Sequence, residues 1–141
     1  MTGSDKNDNV DVRADLETSK PGGSSAGGGA RDARVILDEM LESMRLIHNY
    51  TQGFTYETFA SEQLLQDAVV LRIVILGEAA NHLSAEDKAR WSDVPWRILA
   101  DTRNRLIHGY FAMRLDLVWQ VITVDLPILE SQLRTLRDSL A

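Results

Sequence analysis

The sequence contains no cysteine and only three prolines in 141 residues. Without cysteine there can be no disulfide, no thiolate metal site and no cysteine nucleophile, and nothing calls for an oxidising compartment. It also lacks an apolar run able to span a bilayer, because the longest, "DAVVLRIVILGEAA" at 67–80, is interrupted by Arg72. The N-terminus is polar, without the apolar core of a signal peptide, so a cytoplasmic protein is expected. Basic charge is scarce as well. Fifteen Lys and Arg stand against twenty-one Asp and Glu, a net charge of −6, of which residues 1–30 contribute −2 and residues 31–141 contribute −4. That balance argues against tight non-specific DNA binding, which needs many cations on phosphates. A small positive site remains compatible with it, since Arg97, Arg103, Arg105 and Arg114 fall close together.

What is present divides at about residue 30. Residues 1–30 hold no aromatic residue and end in "PGGSSAGGGA". Such a segment cannot bury enough apolar surface to offset its ordering entropy, and a disordered tail is expected. The remainder, 31–141, is expected to form one helical domain. Leu37, Met40, Met44 and Ile47 recur at helical spacing and predict a helix over about 32–50, with Glu39, Glu42 and Arg45 outward and Gly53 after its end. A second helix is expected from between Thr55 and Ser61 to about Leu83. Its middle, "AVVLRIVIL", is apolar nearly all round and predicts enclosure on several sides.

Ser84 and Asp87 resemble a capping box opening a short helix to about Trp91. Pro95 suits the first position of the next helix, and Gly109 suits its end. Asp116 is expected to cap the last long helix, whose leucines 126, 129, 133, 136 and 140 keep a core register, with a kink at Pro127. No stretch alternates with a period of two. The expected fold is all-α, an up-and-down bundle of four main helices plus a short one.

One segment, "RNRLIHGYF" at 103–111, places an arginine, a histidine and a tyrosine in what otherwise reads as a packed helix end, with Leu106 and Ile107 as its expected packing residues. At about 100° per residue, Arg103 and Tyr110 project within about 20° of each other, and Asn104 and His108 about 40° apart on an adjacent face. All four can border one concavity if Arg103 uses its long stem. A histidine moves protons near neutral pH, and an arginine fork binds phosphate and stabilises charge growing on it. These are the needs of metal-independent RNA cleavage through the 2′-hydroxyl, a route closed to DNA. The same residues also fit a structural role, with Arg103 paired to Asp101 or Glu78 and His108 bonded to a carbonyl.

The segment resembles the HepT-like toxins of the HEPN superfamily, whose hallmark is Arg, four residues, His, one residue, Tyr. Here it stands as Arg103, "NRLI", His108, Gly109, Tyr110, with Asn104 directly after the arginine. The resemblance extends through "DAVVLRIVILGEAANHLS", "VPWRILADTRNRLIHGYF" and "VWQVITVDLPILESQL", roughly residues 32–138. It implies a homodimer with both motifs on a shared cleft. It implies an endoribonuclease in a type VII toxin–antitoxin system, without a cofactor or metal, in which Arg103 and His108 are catalytic and Asn104 and Tyr110 position the RNA. It implies as partner an MntA-like minimal nucleotidyltransferase antitoxin that transfers AMP to Tyr110, putting anionic bulk beside Arg103.

Glu78, in "GEA", is a candidate to orient His108 or Arg103, or else a plain ion-pair partner, and Gly77 suits a close helix crossing. His48 and His82 are isolated from other metal ligands, and Trp91, Trp96 and Trp119 suit the core better than base stacking. No glycine-rich phosphate loop is present, which makes the chain the partner of a nucleotidyltransferase and not the transferase. The other functional reading is a non-catalytic subunit that binds a nucleotidyltransferase, a role that the acidic net charge favours.

Overall fold

A computed structural model of the chain describes residues 31–109 and 114–140. The expectations for the tail and for the side chain of Tyr110 lie outside the described residues. Helix α1, Ala33–Thr51, opens on Asp32, whose carboxylate accepts the Arg34 backbone N–H at 2.9 Å. Leu37, Met40, Met44 and Ile47 are buried along one side, while Arg45 and Glu42 pair outward at 2.6 Å. The chain then turns through Gly53 at φ 81°, a left-handed conformation that L side chains reach only at a cost. Gly53→Ala should therefore cost about 1 kcal/mol although nothing lies within 4 Å of the added carbon. An unshifted denaturation midpoint would show that the turn relaxes freely.

The single second helix expected from the sequence is two. A short α2, Tyr56–Ala60, precedes α3, Gln63–Asn81. A true capping box starts α2: Thr55 Oγ1 accepts from Thr58 N at 3.3 Å, and Thr55 N donates to Thr58 Oγ1 at 2.8 Å. The break bares the last carbonyls of α2, and Gln66 repairs it from within the core. Its Nε2 donates to the carbonyls of Phe59 at 3.0 Å and Ala60 at 3.1 Å. Helix α3 is the central element, packed against α1 and against α5. Val69, Val70, Ile73 and Leu76 are buried, as the apolar run predicts, but Leu71 faces outward.

Ser84 caps α4, Ala85–Arg90, accepting from Asp87 N at 3.0 Å. Only half of the expected box forms, because the Asp87 carboxylate turns to Arg90 at 2.8 Å. Helix α5, Trp96–Gly109, begins one residue later than expected, and Pro95 serves as the position before it, its carbonyl accepting from Leu99 N at 3.2 Å. Trp96 Nε1 donates to the Trp91 carbonyl at 3.0 Å, and the rings of Phe59 and Trp119 lie 5.1 Å apart, so the tryptophans are held by packing.

The last segment is α6, Leu115–Gln120, a π-helical turn, Val121–Asp125, and α7, Leu126–Ser139. Asp116 does not cap it: Arg114 holds that position, and Asp116 sits in the first turn, bonded to Arg114 at 2.7 Å. Pro127 acts through the π turn instead of a break. Leu126 N donates five residues back to Val121, a wider turn that makes room for the ring where an α-turn would be crowded. Leu126, Leu129 and Leu133 are buried against the core, and Arg137 ties α7 to α1 through Asp38 at 2.7 Å. Four main helices, α1, α3, α5 and the α6–α7 segment, thus build an all-α bundle, with two short helices where one was expected. Among the described residues there is no strand, and no helix is long and apolar enough to cross a membrane.

Candidate active site

The arginine, asparagine and histidine of the motif all sit on α5, but they do not point the same way. Arg103 lies in the crossing of α5 over α3. A Cβ on Gly77 would stand 2.8 Å from the Arg103 Cβ, so only glycine allows the two helices to approach this closely. From that crossing the guanidinium reaches Glu78 through Nη1 and the Asn104 Oδ1 through Nη2 at 2.7 Å. Its side chain is 18% exposed, and Nε is buried without a partner among the described residues. A buried, unsatisfied N–H costs roughly 1–3 kcal/mol, so the site tolerates a loss to hold this fork in place. Asp101, the other acid considered for Arg103, makes no ion pair with it. Glu78 is 49% exposed, so the pair is open to solvent on its acidic side and is not a buried ion pair. Its carboxylate holds Arg103, and among the described residues no hydrogen bond links it to His108.

His108 is exposed and lies about 140° around the helix from Arg103. It borders a different space, a cavity of about 540 Å³ between the C-terminal half of α5, α6 and the π turn. Ile73, Leu106, Val118 and Val121 supply its apolar wall, and Thr102 adds a hydroxyl. Two guanidiniums, those of Arg105 and Arg114, stand on the same cavity. Within one protomer, then, Arg103 and Asn104 form one cluster and His108 belongs to another. Arg103 is not among the residues lining the cavity.

Of the two residues expected to pack α5, Leu106 is buried at 7% exposure, but Ile107 is 49% exposed. The expectation for Ile107 fails because α5 leans on α3 along one side only. Arg105 and Arg114 were visible in the sequence only as members of an arginine cluster. Their place beside His108 has one local signal, the i, i+4, i+7 spacing of Thr102, Leu106 and Gly109 that lays a stripe toward α6. Asp116, accepting from Arg114, has its carboxyl held below the usual carboxylate range by that guanidinium. His48 and His82 stay exposed and apart, and among the described residues no three His, Asp or Glu side chains converge as a metal site.

The family described as Ribonuclease HepT-like matches residues 40–136. A curated protein of Methanocaldococcus jannaschii, named "Gamma-glutamylcyclotransferase and putative RNase", is 36% identical over 78% of this chain, and the match spans half of that protein's own length. A "Probable ribonuclease HepT" of Thermococcus cleftensis is 30% identical over 76% of this chain and 97% of its own. No solved structure matches the chain. The family match covers most of the helical domain, including α3, α5 and the Arg103–His108 segment, and the chain belongs to the HepT-like ribonuclease family.

Proposed function

We propose that the protein is an endoribonuclease toxin that acts on cytoplasmic RNA without a metal ion. The observation that carries this reading is the held guanidinium of Arg103, fixed by Glu78, Asn104 and the glycine crossing, on the same helix as a solvent-open His108. In the reaction the RNA 2′-hydroxyl loses its proton to a base and attacks the adjacent phosphorus. The 5′-oxygen then leaves with a proton from an acid, giving a cyclic phosphate. His108 serves one of these proton transfers, and Arg103 neutralises the extra charge on the phosphoryl oxygens. Asn104 positions the substrate by fixing the Arg103 fork.

A site using both residues needs more than one protomer, because they face apart on α5. The exposed Leu71 and Ile107 favour a second copy as the missing wall. Leu71 lies two turns before Glu78 on α3 and Ile107 one turn after Arg103 on α5, so both flank the ion pair on its own side. A homodimer closed there would set the Arg103 cluster of each subunit near the motif of the other.

The cognate nucleotidyltransferase antitoxin would silence the site at Tyr110. The phenolic oxygen attacks the α-phosphorus of ATP, its proton passes to a base, and pyrophosphate departs, leaving AMP on the ring. An anionic phosphodiester two residues from His108 competes with RNA for the same cations. The test is cleavage of RNA by the AMP-free protein in excess chelator. Products ending in 2′,3′-cyclic phosphate are expected, and absence of cleavage across a broad RNA panel would overturn the reading.

A further inference from the structure

The cavity beside His108 is not explained by phosphate chemistry alone, because most of its wall is aliphatic. We infer that it is a nucleobase subsite: one base of the RNA lodges between α5 and α6, and Arg105 and Arg114 grip the phosphodiester backbone at its mouth. This rests on the ribonuclease reading and adds to it the residues that would set which nucleotide lies beside the scissile bond.

Three observations carry the assignment. The volume, about 540 Å³, falls in the range of small-ligand pockets and exceeds what an inorganic anion requires. The ionic side chains that line it, Arg105 and Arg114, carry one sign, and the Asp116 carboxylate meets Arg114 without joining the lining. Arg105, Arg114 and the imidazole of His108 line the space, and no carboxylate does among the described residues, in a chain whose net charge is −6. Arg105, like Arg72 and Arg97, is without an ion pair or hydrogen bond among the described residues, and of the three only Arg105 lines the cavity, whereas Arg31, Arg34, Arg45, Arg90, Arg134 and Arg137 all hold an acid. A guanidinium left free at an apolar cavity is open to an anionic ligand.

The remaining features select a nucleotide among anions with an apolar part. A base has flat faces that stack on aliphatic side chains such as Leu106 and Val118, and an edge that can bond the Thr102 hydroxyl. It is flanked by phosphates on both sides, matching cations contributed by two different elements, Arg105 from α5 and Arg114 from the cap of α6. A carboxylate amphiphile offers one charge and a long tail, and would engage only one of these two cations. Arg114 already donates to Asp116, but with a side chain 68% exposed it can hold a phosphate as well.

The test uses the full-length protein, with ribonucleoside 3′-monophosphates as probes and inorganic phosphate and decanoate as comparators, each titrated by NMR. Arg105→Ala removes the free cation. Leu117→Trp fills the cavity from an exposed position, so the fold survives it. Each should weaken nucleotide binding about tenfold or more, and each should raise KM for RNA by a similar factor with kcat changed far less. Lys88→Ala, on α4 and away from the cavity, should change neither.

Nucleotide affinity and KM unaltered in both variants would overturn the subsite, and so would inorganic phosphate or decanoate binding as tightly as the nucleotides. The two readings can fail separately. A wild-type protein that binds nucleotides in this cavity but cleaves no RNA loses the ribonuclease assignment and keeps the subsite. One that cleaves RNA with KM indifferent to Arg105→Ala and Leu117→Trp keeps the assignment and loses the subsite.

Discussion

His108→Ala should lower RNA cleavage by roughly 10²–10⁴-fold, the range that a positioned general acid or base contributes, while leaving the protein as stable as the wild type. The two halves of that expectation come from the same fact. His108 is exposed, and no hydrogen bond ties it to the described residues, so its removal opens no cavity and orphans no partner, and a surface change of this kind stays within about 0.5 kcal/mol. Arg103→Ala differs in kind. It also abolishes cleavage, but it empties the α3–α5 crossing and leaves Glu78 alone, so activity and thermal midpoint fall together. Comparing the two variants separates chemistry from architecture. The double variant should cleave little worse than either single one, since groups that act as a unit are not additive. If expression of the wild type halts growth and the His108→Ala protein does so equally, the motif is not catalytic. The competing role as a nucleotidyltransferase-binding subunit then gains, whereas loss of AMP transfer in Tyr110→Phe is expected under both readings.

Periodicity made most of the bundle legible. The spacing of Leu37, Met40, Met44 and Ile47, and of the leucines in α7, is set by local helix geometry, and burial follows the stripe. What was not legible depended on partners distant in sequence. The break between α2 and α3 survives because Gln66 satisfies two carbonyls across it, and nothing in the apolar pattern announces a glutamine in that role. The response to Pro127 could be foreseen as a disturbance but not as a π turn, because a kink and a wide turn relieve the same clash. Asp116 has the residue type and position of a cap, yet Arg114 two residues earlier captures it as an ion pair.

At the site, spacing alone put Arg103, Asn104 and His108 around one concavity. Phase along the helix was right, but the stem of Arg103 is committed to α3 by Gly77 and Glu78, and the space at His108 is built by α6, which sequence spacing within α5 cannot see. That the Arg103 stem turns to α3 and does not bridge the two faces is therefore a tertiary fact. It is also the physical reason that a second subunit is required by the proposed chemistry.

Gly77→Ala should destabilise the protein by about 1–3 kcal/mol, the cost of overpacking a close contact, and lower cleavage at least tenfold without touching a reacting group. In a solvent-exposed helix interior the same change would gain roughly 1 kcal/mol, because alanine is the better helix former. The sign is decided by what the new methyl meets. It would lie 2.8 Å from the Arg103 Cβ, 3.2 Å from its Cγ and 3.3 Å from the Leu99 carbonyl oxygen. None of these is the loose end of a side chain: two belong to the root of Arg103 and one is backbone. The helices α3 and α5 must move apart, and the Arg103–Glu78 pair that spans the same crossing loses its register. Gly109→Ala, on the same helix as Arg103 but with nothing within 4 Å of the added carbon, is the stability comparator and should hold its midpoint. Thermal unfolding of the two variants beside the wild type measures the difference, with a drop of several degrees expected for Gly77→Ala alone. A Gly77→Ala protein as stable as the wild type would mean that the crossing yields without cost, and Arg103 would then be held by Glu78 and Asn104 only.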